Sequence, residues 1–439
     1  MNRLLIKGGR VLDPKNKRDG IFDILIENGK IKDVGKNIEL GEDIDKILAE
    51  GLLVMPGLVD MHVHLREPGF EYKETIRSGT RSAAAGGFTT IACMPNTQPV
   101  IDNGPLIEYI LLKAKREGIV KVRPIGAISK GLEGIELAPI GEMAEAGGVA
   151  FSDDGNPVVS GDLMRKAMEY TSMWGKTIIS HCEDPSLSKG GLMNEGDMST
   201  LLGMAGIPSV AEEIMVARDI LLAKYTGCRI HIAHVSTATS VDLIRYGKSL
   251  RIPITAEVTP HHFSLTDKEV DGYDAVTKVN PPLRSQEDVD GIFLGLKDGT
   301  IDVIATDHAP HHKDEKIVEY QMAPFGISGL ETALPLGVTY LLRKNILTPM
   351  ELVEKMSLNP AKILGLDCGS LDIGQDADIT IIDTETEEVV DSSTFYSKGK
   401  NTPFHGKSLY GKVHYTIVNG KIVKNLKGVI KEEDKNVCR

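Results

Sequence analysis

The strongest constraint on this chain is an eightfold alternation. Short β-branched runs that end in polar residues recur along its middle, and helical stretches separate them. The runs are Leu58–His64, Thr89–Asn96, Val122–Ile128, Gly148–Asp154, Thr177–Glu183, Arg229–Ser236, Ile254–His262 and Asp302–His308. Between them, Glu74–Ala85, Pro105–Glu117, Asp162–Trp174, Ser209–Tyr225 and Thr239–Lys248 carry Ala, Leu, Glu, Lys and Arg at helical spacing. Eight such units predict an α/β chain closed into a TIM-type (β/α)8 barrel, with its chemistry at the C-terminal strand ends. A doubly wound sheet is the alternative. It gives no reason for so many strands to end in ligand-type residues, here HVH, MPN, SDD, SHCED, AHVS and TDH.

The flanks read differently. Met1–Leu53 and Gly369–Lys427 hold short strands and turns, and Asn28-Gly29 and Asn419-Gly420 mark hairpins. We expect residues 1–53 and 367–439 to pair into one small β-sandwich beside a barrel spanning 54–366, with Pro349–Leu366 as a helical bridge. The charged, poorly periodic His311–Phe325 follows strand eight and suits a lid over the barrel mouth.

Composition narrows the partners. A formal charge of -12 provides no basic excess for nucleic acid or an anionic membrane, so an anionic small-molecule substrate would need local cations. No run approaches the roughly 18 apolar residues of a membrane span, and MNRLLIKGGRVLDP lacks a signal-peptide core. Cys93, Cys182, Cys228, Cys368 and Cys438 are scattered and form no CxxC pair, which suits reduced thiols in a cytoplasmic protein. There is no P-loop and no GxGxxG, so a nucleotide cofactor is not indicated.

His62 and His64 are two apart at a strand end. Their side chains share a face, roughly 6.6 Å apart in rise, and can grip one metal ion. HxH alone is equally consistent with two polar residues at a strand terminus. More ligand types converge, however: His181 and His234 end strands five and six, Asp307 ends strand eight, and Asp153 and Asp154 end strand four. One metal needs three or four protein ligands, so this set points to two metals with a shared ligand. Imidazole and carboxylate without thiolate favour zinc, with manganese or cobalt as alternatives. A metal pair that activates water is hydrolytic machinery. Strand alternation lets only one of Asp153 and Asp154 face the mouth.

PGLVDMHVHLREPG, MPNTQPV, SHCED, AHVST, TDHAPH and GSLDIGQDADITIID resemble the amidohydrolase superfamily and, within it, the bacterial type I dihydroorotase family. The resemblance runs from KGGRVLDP to VNGKIV. It implies that His62, His64 and Asp307 hold one zinc and His181 and His234 a second. Asp154 and a hydroxide would bridge them. Many relatives place a carbamylated lysine there; this chain reads GVAFSDDG, without lysine. The implied activity is that of a cyclic amide hydrolase: zinc-dependent, reversible cyclisation of N-carbamoyl-L-aspartate to L-dihydroorotate in de novo pyrimidine (UMP) biosynthesis, with Asp307 carrying the proton.

The implied substrate contacts are His64, Arg66, Asn96, Asn280, His311, Phe325 and Gly326. Arg66 offers a fork that matches a carboxylate; the NPP turn would by itself account for Asn280. A homodimer, and association with aspartate transcarbamoylase, are implied as well. The alternative is another cyclic amidase, such as dihydropyrimidinase, hydantoinase or allantoinase; the missing lysine and Arg66 with Asn96 speak against it. An inactive subunit that only scaffolds the transcarbamoylase would lose metal ligands, and this chain keeps them. We read His231 and Cys182 as packing residues, His261 and His262 as hydrogen-bonding at the end of strand seven, and His308 and His312 as loop residues, with His308 behind the metal ligands.

Overall fold

The computed structural model describes residues 3–39 and 44–430. Cys438 and the outermost residues of the two flanking segments lie outside the described residues. Eight strands form the barrel: β1 (Leu58–Val63), β2 (Phe88–Cys93), β3 (Lys121–Pro124), β4 (Phe151–Ser152), β5 (Ile178–Ser180), β6 (Ile230–Ile232), β7 (Ile254–Val258) and β8 (Val303–Ile304). Parallel pairing runs β1–β2–β3 and β4–β5–β6–β7–β8. Two single bridges, Gly126 to Phe151 and Val63 to His308, join these arcs into a ring.

Each strand falls on its predicted run, β2 and β3 starting one residue before theirs, but every ladder ends before its run does, because the chain leaves the ladder where its polar residues turn to the mouth. Strand seven shows why. It was expected to reach His262 and ends at Val258. Pro260 cannot donate to a ladder, and Thr259 instead caps a short helix, Pro260–Ser264, by accepting from the His262 N–H.

The helices include α1 (Ile76–Ala85), α2 (Gly104–Glu117), α3 (Ile140–Glu145), α4 (Gly161–Met173), α5 (Val210–Thr226), α6 (Ala238–Ser249), α7 (Gln286–Lys297) and α8 (Ala333–Leu336), which runs on in π winding to Leu342. Thr75, Asn103, Ser160, Thr237 and Ser285 each accept from the N–H three residues on, so polar caps start most of them. Met61, Ala92, Ile125, Ile179, Ala233 and Val303 lie in, or one residue past, β1, β2, β3, β5, β6 and β8 and pack together in the interior, with Leu364 among them. The predicted helical bridge is present as Pro349–Val353, a π segment to Leu358 and Asn359–Leu364.

Both chain ends share one nine-stranded sheet. Leu53–Pro56 pairs in parallel with Arg3–Asp13 and antiparallel with Ile379–Val389, which ties the ends together. Ile6, Ile24, Ile26, Ile379, Ile381 and Ile417 form its separate core. Both predicted hairpins are there: Asn28 and Gly29 have φ of 52° and 82°, Asn419 and Gly420 49° and 71°, the left-handed pair a two-residue turn requires. The two turns abut, and a Cβ on Gly420 would lie 2.7 Å from Gly29 Cα.

Candidate active site

The barrel brings six of the predicted residues to one mouth. His62 and His64 leave β1, Asp154 follows β4, His181 follows β5, His234 follows β6 and Asp307 follows β8, and all six are buried. Asp154 stands between the imidazoles. Its Oδ1 lies 3.4 Å from His62 Nε2, 3.5 Å from His181 Nδ1 and 3.4 Å from His234 Nε2; its Oδ2 lies 3.4 Å from His64 Nε2. Asp307 Oδ1 is 3.1 Å from His64 Nε2 and 3.5 Å from His62 Nε2. Two ligand groups result, His62–His64–Asp154 and Asp154–His181–His234, joined by the shared carboxylate. His62 Nε2 and Asp154 Oδ1 are buried without a hydrogen-bond partner. Each such atom costs about 1–3 kcal/mol. Nitrogen and oxygen donors converging with unspent lone pairs fit a metal ion.

The neighbours Asp153 and Asp154 have opposite roles. Asp153 turns away from the mouth: its Oδ1 accepts from the Ile128 and Ser129 N–H groups, and its Oδ2 from the Ser129 hydroxyl. Burial pushes its carboxyl up to about 6 against those bonds. Burial would also raise Asp154, but the His62 charge and the His181 and His234 imidazoles beside it outweigh burial and hold that carboxyl well below the usual range. Asp307 is lowered in the same way, by His62 and His64 against its burial. His181 rises to about 10, its burial overcome by Asp154 and Glu183. Metal binding would displace the protons these groups share.

Behind the mouth, other side chains orient the imidazoles. Asn96 Oδ1 lies 2.8 Å from His64 Nδ1. An amide oxygen only accepts, so Nδ1 carries a proton, and Nε2, which faces Asp154 and Asp307, is the nitrogen left to bind a metal. Asn96 was expected on a substrate carboxylate; its contact here is His64. Glu257 Oε1 lies 2.5 Å from His62 Nδ1. Glu183 Oε2 accepts from Asn280 Nδ2 at 2.7 Å and stands 3.8 Å from His181 Nε2. The His181 charge and the Ser188 and Asn280 donors overcome burial and bring the Glu183 carboxyl to about 2. Sequence reasoning singled out neither Glu257 nor Glu183. The available signals were an acid inside the apolar strand ITAEV and an acid two residues past a ligand in SHCED. His231 also corrects the reading, since it bonds Glu257 and Thr255 rather than merely packing.

Arg66, His311, Phe325 and Gly326 form a second group. Lys73 Nζ, a donor, lies 3.3 Å from His311 Nδ1, so His311 Nε2 carries the proton and donates to the Phe325 carbonyl at 2.7 Å. Burial, with the charges of Arg66, Lys316 and Lys73, lowers His311 to about 2 and keeps it neutral. Arg66 donates from Nε to the Pro310 carbonyl at 3.3 Å, and its Nη2 faces the protonated His311 Nε2 at 3.4 Å. Among the described residues no carboxylate pairs with it. Burial lowers its pKa although Asp307 and Asp154 pull the other way. Gly326 has φ 124°, and a Cβ there would meet the Ala309 carbonyl at 2.7 Å and His311 Nε2 at 3.2 Å. Asn401, from the C-terminal segment, accepts from the His311 N–H and donates to the Gly326 carbonyl.

Arg66, His234 and Asp307 all sit at left-handed φ, 60°, 33° and 47°. Such backbone costs on the order of 1–3 kcal/mol each. The Lys313–Lys316 turn lies in the segment expected as a lid, and buried Lys316 anchors it by donating to the Ala275 and Pro324 carbonyls. His308 bonds Glu74, His312 caps that turn, and His262 bonds Thr259 and the Pro281 carbonyl. His261 is buried, with Nε2 unpartnered. Cys182 packs beside Ser180 and Asp219.

A Dihydro-orotase-like family profile matches residues 51–240, and an Amidohydrolase family profile matches 321–424. A dihydroorotase of Acetivibrio thermocellus is 59% identical over 420 residues, covering 96% of this chain and 98% of that protein. One of Pelotomaculum thermopropionicum is 58% identical over 421 residues, at 96% and 98% coverage. Among solved structures, the L-hydantoinase (dihydropyrimidinase) of Arthrobacter aurescens superposes with a TM-score of 0.89 at 29% identity, covering 98% of each chain. A dihydropyrimidinase of Brevibacillus agri gives 0.85 at 21% identity, covering 98% and 96%, a likeness of fold.

Proposed function

This chain belongs to the dihydroorotase family of cyclic amide hydrolases, and on that premise we propose that it interconverts N-carbamoyl-L-aspartate and L-dihydroorotate for pyrimidine synthesis, using two zinc ions per subunit. His62, His64 and Asp307 would hold one ion and His181 and His234 the other, with Asp154 shared. When bound, the ions supply an activated water and polarise the carbonyl it attacks. The chain's own residues do the rest. Arg66 binds the substrate carboxylate through its fork, with His64, Asn96 and His311 around it. Asn280 Oδ1, buried and unpartnered, accepts from a ring N–H, and the backbone at Phe325 and Gly326 flanks the other amide. Asp307 Oδ1 faces the two histidines, so Oδ2 carries a proton between the attacking water and the ring nitrogen. In the biosynthetic direction the transfer reverses.

The observation that carries this reading is Arg66: a guanidinium beside the metal-fitting cluster with no carboxylate partner among the described residues. Asp154, in place of a bridging lysine, and the higher identity to dihydroorotases disfavour a hydantoinase or dihydropyrimidinase activity. The zinc-supplied protein is expected to open L-dihydroorotate, and a chelated sample is not. Opening of hydantoin, dihydrouracil or allantoin in its place would overturn the substrate. Arg66→Lys is expected to raise KM about 10- to 100-fold with a smaller change in kcat, since a point charge replaces a bidentate fork; an unchanged KM would remove the carboxylate assignment.

Homodimer formation, docking onto an aspartate transcarbamoylase and a cytoplasmic location rest on the resemblance. Among the described residues no helix is long and apolar enough to cross a membrane. Light scattering on the chain alone and mixed with that transcarbamoylase decides its assembly.

A further inference from the structure

Glu257 is a wholly buried carboxylate on β7. A buried acid is costly unless its lone pairs are used. Here they are. Oε1 faces His62 Nδ1 at 2.5 Å and the His234 backbone N–H at 3.4 Å; Oε2 faces His231 Nε2 at 3.1 Å. His231 is held from its other side by Thr255 Oγ1 at 2.8 Å. The framework is rigid: His231 of β6 and Thr255 of β7 are direct cross-strand partners, and Thr255 and Glu257 are two apart on one strand.

The chemistry of this chain runs one way. A carboxylate accepts and does not donate, so His62 Nδ1 keeps its proton, and Nε2 is the nitrogen that gives a lone pair to a metal once the proton shared with Asp154 and Asp307 is displaced. His231 satisfies both neighbours by donating from Nε2 to Glu257 and accepting at Nδ1 from the Thr255 hydroxyl. The same carboxylate touches one member of each ligand group, the His62 side chain and the His234 backbone, where φ is 33°.

We propose that Glu257 is the positioning residue of the metal centre: it fixes the metal-binding tautomer of His62 and steadies His234, and His231 acts only by holding Glu257. The proposal rests on the metal reading above. Its test is zinc uptake by metal-free protein, titrated with zinc alone against a chromophoric chelator, beside thermal melting of the same metal-free samples. Glu257→Gln keeps the shape but removes the charge and one of the two acceptor oxygens that face His62 Nδ1 and His231 Nε2. It is expected to weaken zinc binding about 10- to 100-fold, the usual effect of losing the partner of a ligating histidine, while the metal-free melt moves little. His231→Gln is expected to lose less, and the double variant to match Glu257→Gln within about twofold, because the two act in series.

Zinc affinity unchanged in Glu257→Gln, or lowered only in step with metal-free stability, would overturn the proposal; so would additive losses in the double variant. If Glu257→Gln does not fold, His231→Gln decides by the same two readouts. Failure of the unsubstituted chain to take up zinc would instead overturn the metal reading itself.

Discussion

Asp307→Asn is expected to cut turnover by about 10^2- to 10^4-fold, the range for losing a general acid–base, while the protein still folds. The amide has nearly the shape of the acid but cannot receive the proton passed between water and ring nitrogen. Folding should survive for a local reason. Asp307 sits at φ 47°, and Asn is among the few residues that tolerate left-handed backbone. Turnover on L-dihydroorotate, a circular-dichroism melt and zinc content of the same sample check it. Turnover within about tenfold of the original would remove the proton-carrying role; loss of zinc together with turnover would reassign Asp307 as chiefly a ligand.

The second large effect contrasts two neighbours. Asp154→Asn is expected to weaken zinc binding by more than about 100-fold, beyond what an outer partner costs, because one carboxylate faces all four imidazoles. Asp153→Asn is expected to leave zinc affinity unchanged and to cost about 1–3 kcal/mol of stability, since an amide N–H2 replaces the oxygen that accepts from the Ser129 hydroxyl. Zinc titration and denaturant unfolding of both variants separate these outcomes. Zinc loss in Asp153→Asn with none in Asp154→Asn would reverse the assignment.

The architecture was legible because its signals are local. A β-branched run, a polar strand end and a helix cap each span a few residues, and eight repeats specify a barrel. The NG turns were readable for the same reason, since left-handed φ at two successive positions selects those residues. The candidate ligands were legible as motifs at strand ends. Strand seven was overextended because Pro260, which cannot donate to a ladder, was read as part of the strand.

Sequence by itself determined the βα repeat, the strand-and-turn character of both flanks and the histidines and aspartates offered to the mouth, all properties of neighbouring residues. Only the tertiary structure decided that Asn96 answers to His64, that Glu183 holds Asn280, and that Glu257 stands behind His62. The reason is distance along the chain: His62 and Glu257 are 195 residues apart. Their hydrogen bond exists only because the ring closes, and no local pattern in either strand carries that closure.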